Sequence, residues 1–274
     1  QMKAVAILNI KGGVGKSTIA FNLAHAIERH NRSVLLVDLD MQSNLTDMAV
    51  SQPERITYSV YDLMTDDTVL PPNCVYPTVI PNVDIIPADL RLFDIQQVLN
   101  PLSKPDALVV LQSRITGELD TYDYVVLDCR PEISLLTMNA LLAATHYMIP
   151  VFCDRHSMRG IEMTDRYVAS ARKVNEDLAE IGVLVNNLDR RKTNAMAIYS
   201  ALENRLGDRL MKTIIGTNAA LETASTMQQT VFQYDRRAPG CRYFRELAKE
   251  VMTKCNDPIA SESEEENEDD GGEG

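Results

Sequence analysis

Residues 11–18 combine glycine, lysine and hydroxyl side chains in an order that suits phosphate binding: Lys11-Gly12-Gly13-Val14-Gly15-Lys16-Ser17-Thr18. This segment, called the glycine loop below, follows the apolar run 4–8 and precedes the helix-like run 19–24. Glycines let backbone N–H groups close around a phosphate, and the start of the following helix presents its positive end to the same anion. Lys16 would neutralise charge on the β- and γ-phosphates, and the Ser17 hydroxyl would hold Mg²⁺. We therefore predict a site for a nucleoside triphosphate and Mg²⁺.

Three aspartates lie at or just after the ends of strand-like apolar runs. Asp38 is the last residue of the run 33–38, and Asp40 follows two residues later. Asp128 is the last residue of the run 124–128. Phosphoryl transfer requires an in-line water and a metal ion that balances charge, with little covalent chemistry from the protein. Carboxylates near the γ-phosphate meet both requirements, and Asp128 would hold Mg²⁺ through water or together with Ser17. A simpler interpretation of Asp38 and Asp40, as caps of a strand end, stays open from these residues alone.

The elements that would position these residues alternate along the chain, apolar runs of strand length being separated by amphipathic stretches of helical length. The runs predicted as strands are 4–8, 33–38, 83–86, 124–128, 146–151 and 182–186. The stretches predicted as helices are 17–30, 89–99, 105–119, 133–144, 157–178, 194–206 and 240–254. Residues 70–81, which are rich in proline, are predicted to form a connecting loop. The alternation predicts an α/β fold: a mostly parallel, twisted sheet with helices on both faces and its chemistry at the carboxyl ends of the strands.

The length and composition fit one folded domain. The chain has 274 residues, of which 45% are hydrophobic, and this suffices for one large α/β core. It contains no run of about 18 apolar residues, so we predict no membrane span. Met2 leads directly into a strand-like run without a signal-peptide pattern, and the five cysteines form no C-x-x-C pair or metal-ligand spacing. These features indicate a reducing, cytoplasmic setting.

The formal net charge of −12 is concentrated at one end of the chain. Residues 257–274 contain nine of the 39 acidic residues and no lysine or arginine. The other residues carry 30 acidic and 27 basic side chains, a net charge of −3. We predict one folded domain over 1–256 and a disordered acidic tail over 257–274. The tail would act as a solubilising segment, or it would compete with nucleic acid for basic residues of the folded domain.

The glycine loop departs from the usual phosphate-loop pattern in a specific way. Ile10 stands where a glycine is usual, and a second lysine, Lys11, lies inside the loop. This variant resembles the deviant Walker A motif of the ParA/MinD family of dimerising ATPases. The resemblance implies that Lys11 reaches across a dimer to the partner's nucleotide. Residues 38–42 resemble the family's Walker A′ stretch, which implies that Asp40 orients or deprotonates the attacking water while Asp38 lies near the metal shell.

Further segments extend the resemblance from about residue 3 to residue 254, and some of them depart from the family pattern. Residues 136–144 and 157–161 are similar to the helices that follow the Walker B loop and the next strand. Relatives usually have proline where this chain has Met41. They also commonly continue D-x-P-P after the Walker B aspartate, where this chain has Arg130 in place of the first proline. Arg130 is expected at the surface, with a phosphate contact as the alternative.

Two later segments correspond to base-contacting positions of the family. Asn186 and Asn187 follow a strand where relatives place an adenine-contacting asparagine, and an amide group can donate and accept against a base edge. A turn asparagine explains these residues equally well. Gly216 and Thr217 lie in a predicted loop, 215–218, where relatives flank the base with a proline, here replaced by Gly216.

Basic residues concentrate in two regions: Arg190, Arg191 and Lys192 in one loop, and Arg236, Arg237, Arg242, Arg245, Lys249 and Lys254 near the end of the domain. Two copies of the chain would double these patches, and non-specific DNA binding grows with the number of phosphates neutralised. Against this, relatives often carry arginines in the loop 217–220, where this chain has none.

The resemblance as a whole implies a ParA-like Mg²⁺-dependent ATPase that uses ATP to form a sandwich homodimer on non-specific DNA. A ParB-like or other cargo adaptor would stimulate hydrolysis. The dimer would thereby partition or position a plasmid, a chromosome region or a protein assembly. The protein would then be cytoplasmic and associated with the nucleoid.

Three alternatives remain open from the sequence. A MinD-like ATPase would use the amphipathic stretch 240–254 to bind a membrane surface, although we expect its apolar stripe to pack on the core and the acidic tail to be repelled by anionic lipid. A metabolic P-loop enzyme would use ATP to activate a small molecule. A nucleotide switch without enzymatic activity would leave Asp40 idle.

Overall fold

The computed structural model describes residues 2–100, 104–257 and 259, and eight strands of this part form one sheet. They are β1 Lys3–Ile7, β2 Val34–Asp38, β3 Tyr76–Pro77, β4 Val83–Ile86, β5 Tyr124–Asp128, β6 His146–Val151, β7 Ala179–Leu188 and β8 Leu210–Gly216. Their order across the sheet is β3-β4-β2-β5-β1-β6-β7-β8. All neighbouring pairs are parallel except β3 and β4, which are antiparallel. The predicted α/β class is confirmed.

Helices cover both faces of the sheet. They are α1 Lys16–Glu28, α2 Asn44–Ala49, α3 Val60–Thr65, α4 Ile95–Leu99, α5 Lys104–Ile115, α6 Leu135–Ala143, α7 Ser157–Ala171, α8 Thr193–Leu206, α9 Ala219–Thr226, α10 Val231–Tyr234 and α11 Pro239–Lys254. One apolar layer packs α1, α2, α10 and α11 against the sheet, and the other packs α3 to α8. In β5, Tyr124 and Val126 belong to the first layer and Val125 and Leu127 to the second, as the two-residue repeat of a strand requires. A strand that is buried on both faces is therefore apolar throughout.

The structure corrects several element predictions. Helix α7 ends at Ala171 rather than at 178, and α5 ends at Ile115 because Gly117, with φ 98°, turns the chain. The first two residues of the predicted loop 215–218 belong to β8. This strand lies at the edge of the sheet, and its polar residues obscure the two-residue apolar repeat that would have predicted it. Within 70–81, a short 3₁₀ turn and β3 interrupt the predicted loop. Four short helices, α2, α3, α9 and α10, were not predicted.

The apolar stripe of α11 lies in the core, as predicted. Phe244, Leu247, Val251 and Met252 are at most 1% exposed and pack with α1 and the sheet. Burial in the core leaves this stripe unable to enter a lipid surface without unfolding the helix from the domain. Across the described ranges, every helix is too short or too polar to cross a membrane.

The predicted acidic tail lies outside the described residues except for Asp257 and Ile259. The Asp257 carboxylate accepts hydrogen bonds from Arg32, at 3.0 Å from Nη2, and from the Tyr124 hydroxyl, also at 3.0 Å. Ile259 packs against the apolar layer that contains α11. Contacts with the folded domain therefore continue to Asp257 and Ile259.

Candidate active site

The glycine loop connects β1 to α1 at the carboxyl edge of the sheet, close to its centre. Gly13 and Gly15 have φ angles of 73° and 84°, which other residues rarely adopt. A Cβ at Gly15 would also lie 2.5 Å from Nδ2 of Asn186, so glycine is required there on two grounds. No side chain caps the start of α1. Its first backbone N–H groups therefore face the loop, in an arrangement suited to an anion.

A cavity of about 770 Å³ opens beside this loop. Its lining includes the loop residues Gly13, Gly15, Lys16, Ser17 and Thr18. It also includes Asp40 and the α2 region opposite, together with Pro131, Ser225, Thr226 and Gln228. Of the other glycine-loop residues, Gly12 is exposed, and Val14 is buried with its carbonyl accepting a hydrogen bond from Asn186. Five of the eight glycine-loop residues thus line one open space, which we call the phosphate cavity.

Lys16 lies at the floor of this site. The residue is 7% exposed, and its Nζ is 3.4 Å from the backbone oxygen of Asn9. Burial lowers the pKa of Lys16, while the nearby negative charges of Asp128 and Asp40 oppose this effect. A phosphate in the cavity would add a further negative charge and favour the protonated amine.

Asp38 and Asp128 are paired in register across β2 and β5, but their carboxylates have different surroundings. Asp38 accepts hydrogen bonds from the backbone N–H of Asp40 and from the N–H and hydroxyl of Thr46, at 2.8–3.0 Å. Both oxygens of Asp128 are buried, and neither has a hydrogen-bond partner of good geometry among the described residues, although the Ser17 hydroxyl lies close enough to lower the pKa of Asp128. Burial, and then the charge of Asp38, raise the pKa of Asp128. Burial likewise raises the pKa of Asp38 against the opposing hydrogen bonds.

A divalent cation fits the unpartnered carboxylate of Asp128. Buried polar atoms without partners are rare in folded proteins, and a cation would both ligate this carboxylate and favour its charged form. Within the described part of the chain, no three His, Cys, Asp or Glu side chains converge to hold a metal ion. Mg²⁺ is usually held by one or two carboxylates, waters and substrate phosphates. Of the four predicted metal residues, Asp38 has its hydrogen-bonding capacity met by protein, whereas Ser17 and Asp40 line the phosphate cavity.

Asp40 stands at the mouth of the phosphate cavity. Its backbone N–H is held by Asp38, and its own carboxylate accepts a hydrogen bond of 3.1 Å from the backbone N–H of Gln42. The residue is partly exposed and lines the phosphate cavity. Thr46, which fixes Asp38, also accepts a hydrogen bond from the Ala88 N–H at the end of β4. Asp40 is therefore positioned by three neighbouring segments of chain.

Lys11 points away from the phosphate cavity of its own chain. Its Nζ forms a close ion pair with Asp154, which follows β6, and the two side chains are 30% and 36% exposed. Asp154 is fixed in turn by the His156 N–H at 2.9 Å. Burial is the largest influence and raises the pKa of Asp154, but the bond and charge of Lys11, the His156 N–H and the Ser157 hydroxyl together outweigh it and hold the pKa below the usual value. Sequence reasoning missed Asp154, because 143 residues separate it from Lys11.

A second cavity, of about 370 Å³, adjoins the first through their shared lining residues Gly15, Thr18 and Ser225. Asn186, Asn187 and Gly216 line it, as do Phe152, Asn218, Leu221 and Glu222, which the sequence analysis did not identify. Thr217, predicted to flank a base, is exposed and does not line this cavity, which we call the nucleoside cavity. An aromatic ring, an aliphatic chain and amides around a space of this size suit a purine and its sugar.

Two predicted features need correction or refinement. Arg130, expected at the surface, has a side chain only 11% exposed, because it lies against Met41 and pairs with Glu132 at 3.0 Å. Gly216 is not simply a substitute for proline: a Cβ there would lie 2.7 Å from the hydroxyl of Tyr243 in α11. This chain therefore fills with an aromatic side chain the space beside the nucleoside cavity.

Comparisons with known proteins agree with this geometry. A family model described as an AAA domain matches residues 2–180. The sporulation initiation inhibitor protein Soj of Bacillus subtilis is 33% identical over 250 residues, covering 91% of this chain and 98% of Soj. The chromosome partitioning protein ParA of Caulobacter vibrioides is 29% identical, covering 93% of this chain and 96% of that protein.

Solved structures show the same fold. The ATP complex of an McdA variant from Cyanothece has a TM-score of 0.81 at 20% identity, covering 95% of this chain and 98% of McdA. MinD of Pyrococcus horikoshii, complexed with Mg-ADP, has a TM-score of 0.72 at 21% identity, with 92% and 96% covered. Sequence, site and fold agree: the chain belongs to the ParA/MinD family of P-loop ATPases, in the group that contains Soj and ParA.

Proposed function

We propose that this chain is a Mg²⁺-dependent ATPase that dimerises around ATP and positions a cargo on DNA. The observation that carries the catalytic part is the buried, unpartnered carboxylate of Asp128 beside Lys16 and the phosphate cavity. The phosphates of ATP would occupy the phosphate cavity and its base the nucleoside cavity, where Asn186 and Asn187 would contact the base. Asp128 and Ser17 would hold Mg²⁺, with Asp38 and Asp40 nearby.

Hydrolysis needs a positioned water and stabilised negative charge. Asp40 would orient or deprotonate the water, since its carboxylate is fixed on one side and open to the cavity on the other. Lys16 and the N–H groups of the glycine loop would stabilise charge on the phosphates. Bound Mg²⁺ would supply further positive charge on the phosphate oxygens.

A direct test of the catalytic proposal is steady-state ATP hydrolysis with Mg²⁺ or with EDTA. We expect slow turnover that requires Mg²⁺ and falls by at least about 100-fold in Lys16→Ala, because the charge compensation at the phosphates is lost. Lys173→Ala, an exposed lysine of the same chain, serves as the control. Turnover that persists in Lys16→Ala would end the proposal.

The orientation of Lys11 supports the proposed dimer. Its amine lies outside the phosphate cavity of its own chain and is partly exposed beside Asp154. In a dimer with the two cavities face to face, each Lys11 would exchange Asp154 for the phosphates in the opposite chain. An isologous arrangement of this kind places identical groups on both sides of the symmetry axis.

DNA binding is supported by exposed arginines and by the partitioning relatives. Arg190, Lys192, Arg236, Arg237 and Arg242 are exposed, although Arg191 is paired with Asp189 at 2.9 Å. A dimer would present two such sets to the phosphate backbone. A ParB-like adaptor would stimulate hydrolysis, release the dimer and so partition or position the cargo, which would place the protein at the nucleoid.

A further inference from the structure

Four arginines gather where α11 begins. Arg236, Arg237, Arg242 and Arg245, called the arginine patch, line a surface cavity of about 440 Å³ with Ala238 and Pro239. Arg242 lies 3.8 Å from Glu246, and this is the one ion pair found between the patch and an acid of the described chain. No acidic side chain occupies the first turn of α11, and no side chain caps it. The positive end of the helix therefore adds to the charge of the patch.

Positive charge also extends from the arginine patch to α1. Arg29, at the end of α1, lies 5.5 Å above the ring of Phe232, next to His25. Burial, and then the charges of Arg29 and Arg236, lower the pKa of His25 to about 4. Both arginines thus act on the same imidazole from different elements. Arg29 therefore lies near the arginine patch and adds to its positive charge.

The described chain ends at the opposite end of α11 and enters a segment of opposite charge. Asp257 is held by Arg32 and Tyr124, and Ile259 packs on the core. The sequence then continues through 262–270, in which seven of nine residues are Asp or Glu. The chain that leads to the acidic segment is thereby held on the folded domain at Asp257 and Ile259.

The distances allow this segment to reach the arginine patch. Helix α11 has 16 residues and is therefore about 24 Å long. Glu262 follows Ile259 by three residues and Asp270 by eleven, so an extended chain carries them up to roughly 10 and 40 Å from Ile259. The whole length of α11 lies within this reach.

Basic side chains lie along α11 between its end, where the acidic segment follows, and the arginine patch. Arg242, Arg245 and Lys249 are spaced three and four residues apart and so share one outer face of α11. On the neighbouring face, Glu250 accepts hydrogen bonds from the backbone N–H groups of Lys212 and Thr213, which ties its charge to β8. A chain folding back along α11 would meet Lys249, Arg245 and Arg242, with Glu246 as the one acid within 242–249, before it reached Arg236 and Arg237.

We propose that the acidic segment 262–270 folds back along α11, binds the arginine patch and covers it. The contact is an interaction within one chain and depends on opposite charge. Its consequence, that the segment competes with the phosphate backbone of DNA for the same arginines, rests on the proposed function. Cargo adaptors or DNA at high local concentration would displace the segment.

The test of the contact needs no DNA and uses the full chain. A fluorophore is attached at Ser263→Cys in a Cys153→Ser background, because Cys153 is the one partly exposed cysteine of the described residues. Its anisotropy is measured from about 25 mM to 500 mM salt, a range over which screening of exposed charges becomes strong. The patch variant is Arg237→Ala/Arg242→Ala/Arg245→Ala, and the matched control, which removes the same charge elsewhere, is Arg190→Ala/Arg191→Ala/Lys192→Ala.

We expect high anisotropy at low salt that falls as salt is added, and low anisotropy at every salt concentration in the patch variant only. Anisotropy that is low throughout, or equally high in the patch variant, would overturn the contact.

To test the competition with DNA, the acidic residues of 262–270 are changed to Gln and Asn, and binding to a mixed-sequence duplex is measured with ATP. Affinity should rise about tenfold or more at low salt, but not in the patch variant. An unchanged affinity overturns the competition, whereas absence of any DNA binding, with the anisotropy result intact, counts against the proposed function alone.

Discussion

At the scale of single residues, the site separates three aspartates that look alike in the sequence. Asp38 is bound by three hydrogen-bond donors, Asp40 lines the cavity, and Asp128 is buried with no hydrogen-bond partner of good geometry in the described part of the chain. An unpartnered buried carboxylate beside another carboxylate costs stability, and this cost is characteristic of a binding site. Replacing Asp128 should therefore raise the stability of the ligand-free protein while it weakens the binding of ligand.

We predict that Asp128→Asn stabilises the ligand-free protein by about 1 kcal/mol or more, since it removes a buried charge and its repulsion with Asp38. The same change should abolish the additional stabilisation that Mg-ATP gives the wild type. Thermal unfolding with and without Mg-ATP measures both effects. Asp67→Asn, an exposed aspartate, is the control. An Asp128→Asn protein that Mg-ATP stabilises as strongly as the wild type would refute this role.

Residue types and spacing predicted the glycine loop and the strand-end aspartates, because local sequence determines both. They did not predict Asp154, Phe152 or the cavity wall formed by Ser225 and Gln228. These residues reach the site through contacts between distant parts of the chain. Gln228, for example, donates a hydrogen bond of 2.7 Å to the backbone oxygen of Asp47 across 181 residues. No local pattern records such a contact.

At the scale of elements, the short helix α2 links the aspartates to the rest of the sheet through Thr46. Its hydroxyl donates to Asp38 at 2.8 Å and accepts from the Ala88 N–H at 3.0 Å, and the residue is 5% exposed. We expect Thr46→Val to lower the free energy of unfolding by about 1–3 kcal/mol, since it leaves a buried N–H unpaired. Urea unfolding measures this, with the exposed Thr57→Val as control. Equal stability of the two variants would contradict the assignment.

The contact between α1 and α10 makes a pH-dependent contribution to stability through His25. Its Nδ1 is 2.6 Å from the Thr230 hydroxyl, and burial lowers its pKa to about 4 from 6.5. The unfolded chain therefore binds a proton below pH 6.5 that the folded protein binds only near pH 4. Stability should fall on acidification through this window, by at most about 3 kcal/mol.

The measurement that checks this is the pH dependence of unfolding in the wild type and in His25→Gln. The difference between them isolates the imidazole from the buried aspartates, whose raised pKa values act in the opposite direction. We expect the stability of His25→Gln relative to the wild type to rise as the pH is lowered from 6.5 to 4. A difference that is constant with pH would show that His25 titrates normally in the folded state.

Central strands and long helices were predictable because each has a consistent apolar period. Helices α9 and α10 were not, since each is short and depends on its caps: Asn218 accepts from the Ala220 N–H, and Thr230 forms a capping box with Gln233. Strand β8 lies at the edge of the sheet, and its exposed residue Lys212 interrupts the apolar pattern. Where tertiary contacts stabilise a segment, its own sequence is a weak guide.

At the scale of the whole molecule, the fold gathers every proposed catalytic group at one edge of the sheet and leaves Lys11 outside its own phosphate cavity. A single chain therefore has a phosphate cavity that its own Lys11 does not line. Two chains placed face to face would complete each other, and nucleotide binding would be coupled to assembly. The central claim of the account is therefore that Lys11 acts on the nucleotide of the opposite chain.

Mixing two inactive variants tests this claim most directly. Lys11→Ala lacks the lysine that its partner needs, and Asp40→Ala, which should still bind ATP and accumulate as a dimer, cannot activate water. In a mixed dimer, the Lys11→Ala chain retains Asp40 and receives Lys11 from the other chain. An equal mixture should therefore recover up to about a quarter of the wild-type ATPase rate, since half of the randomly paired dimers hold one complete site of two. A mixture as inactive as either variant alone would contradict the account.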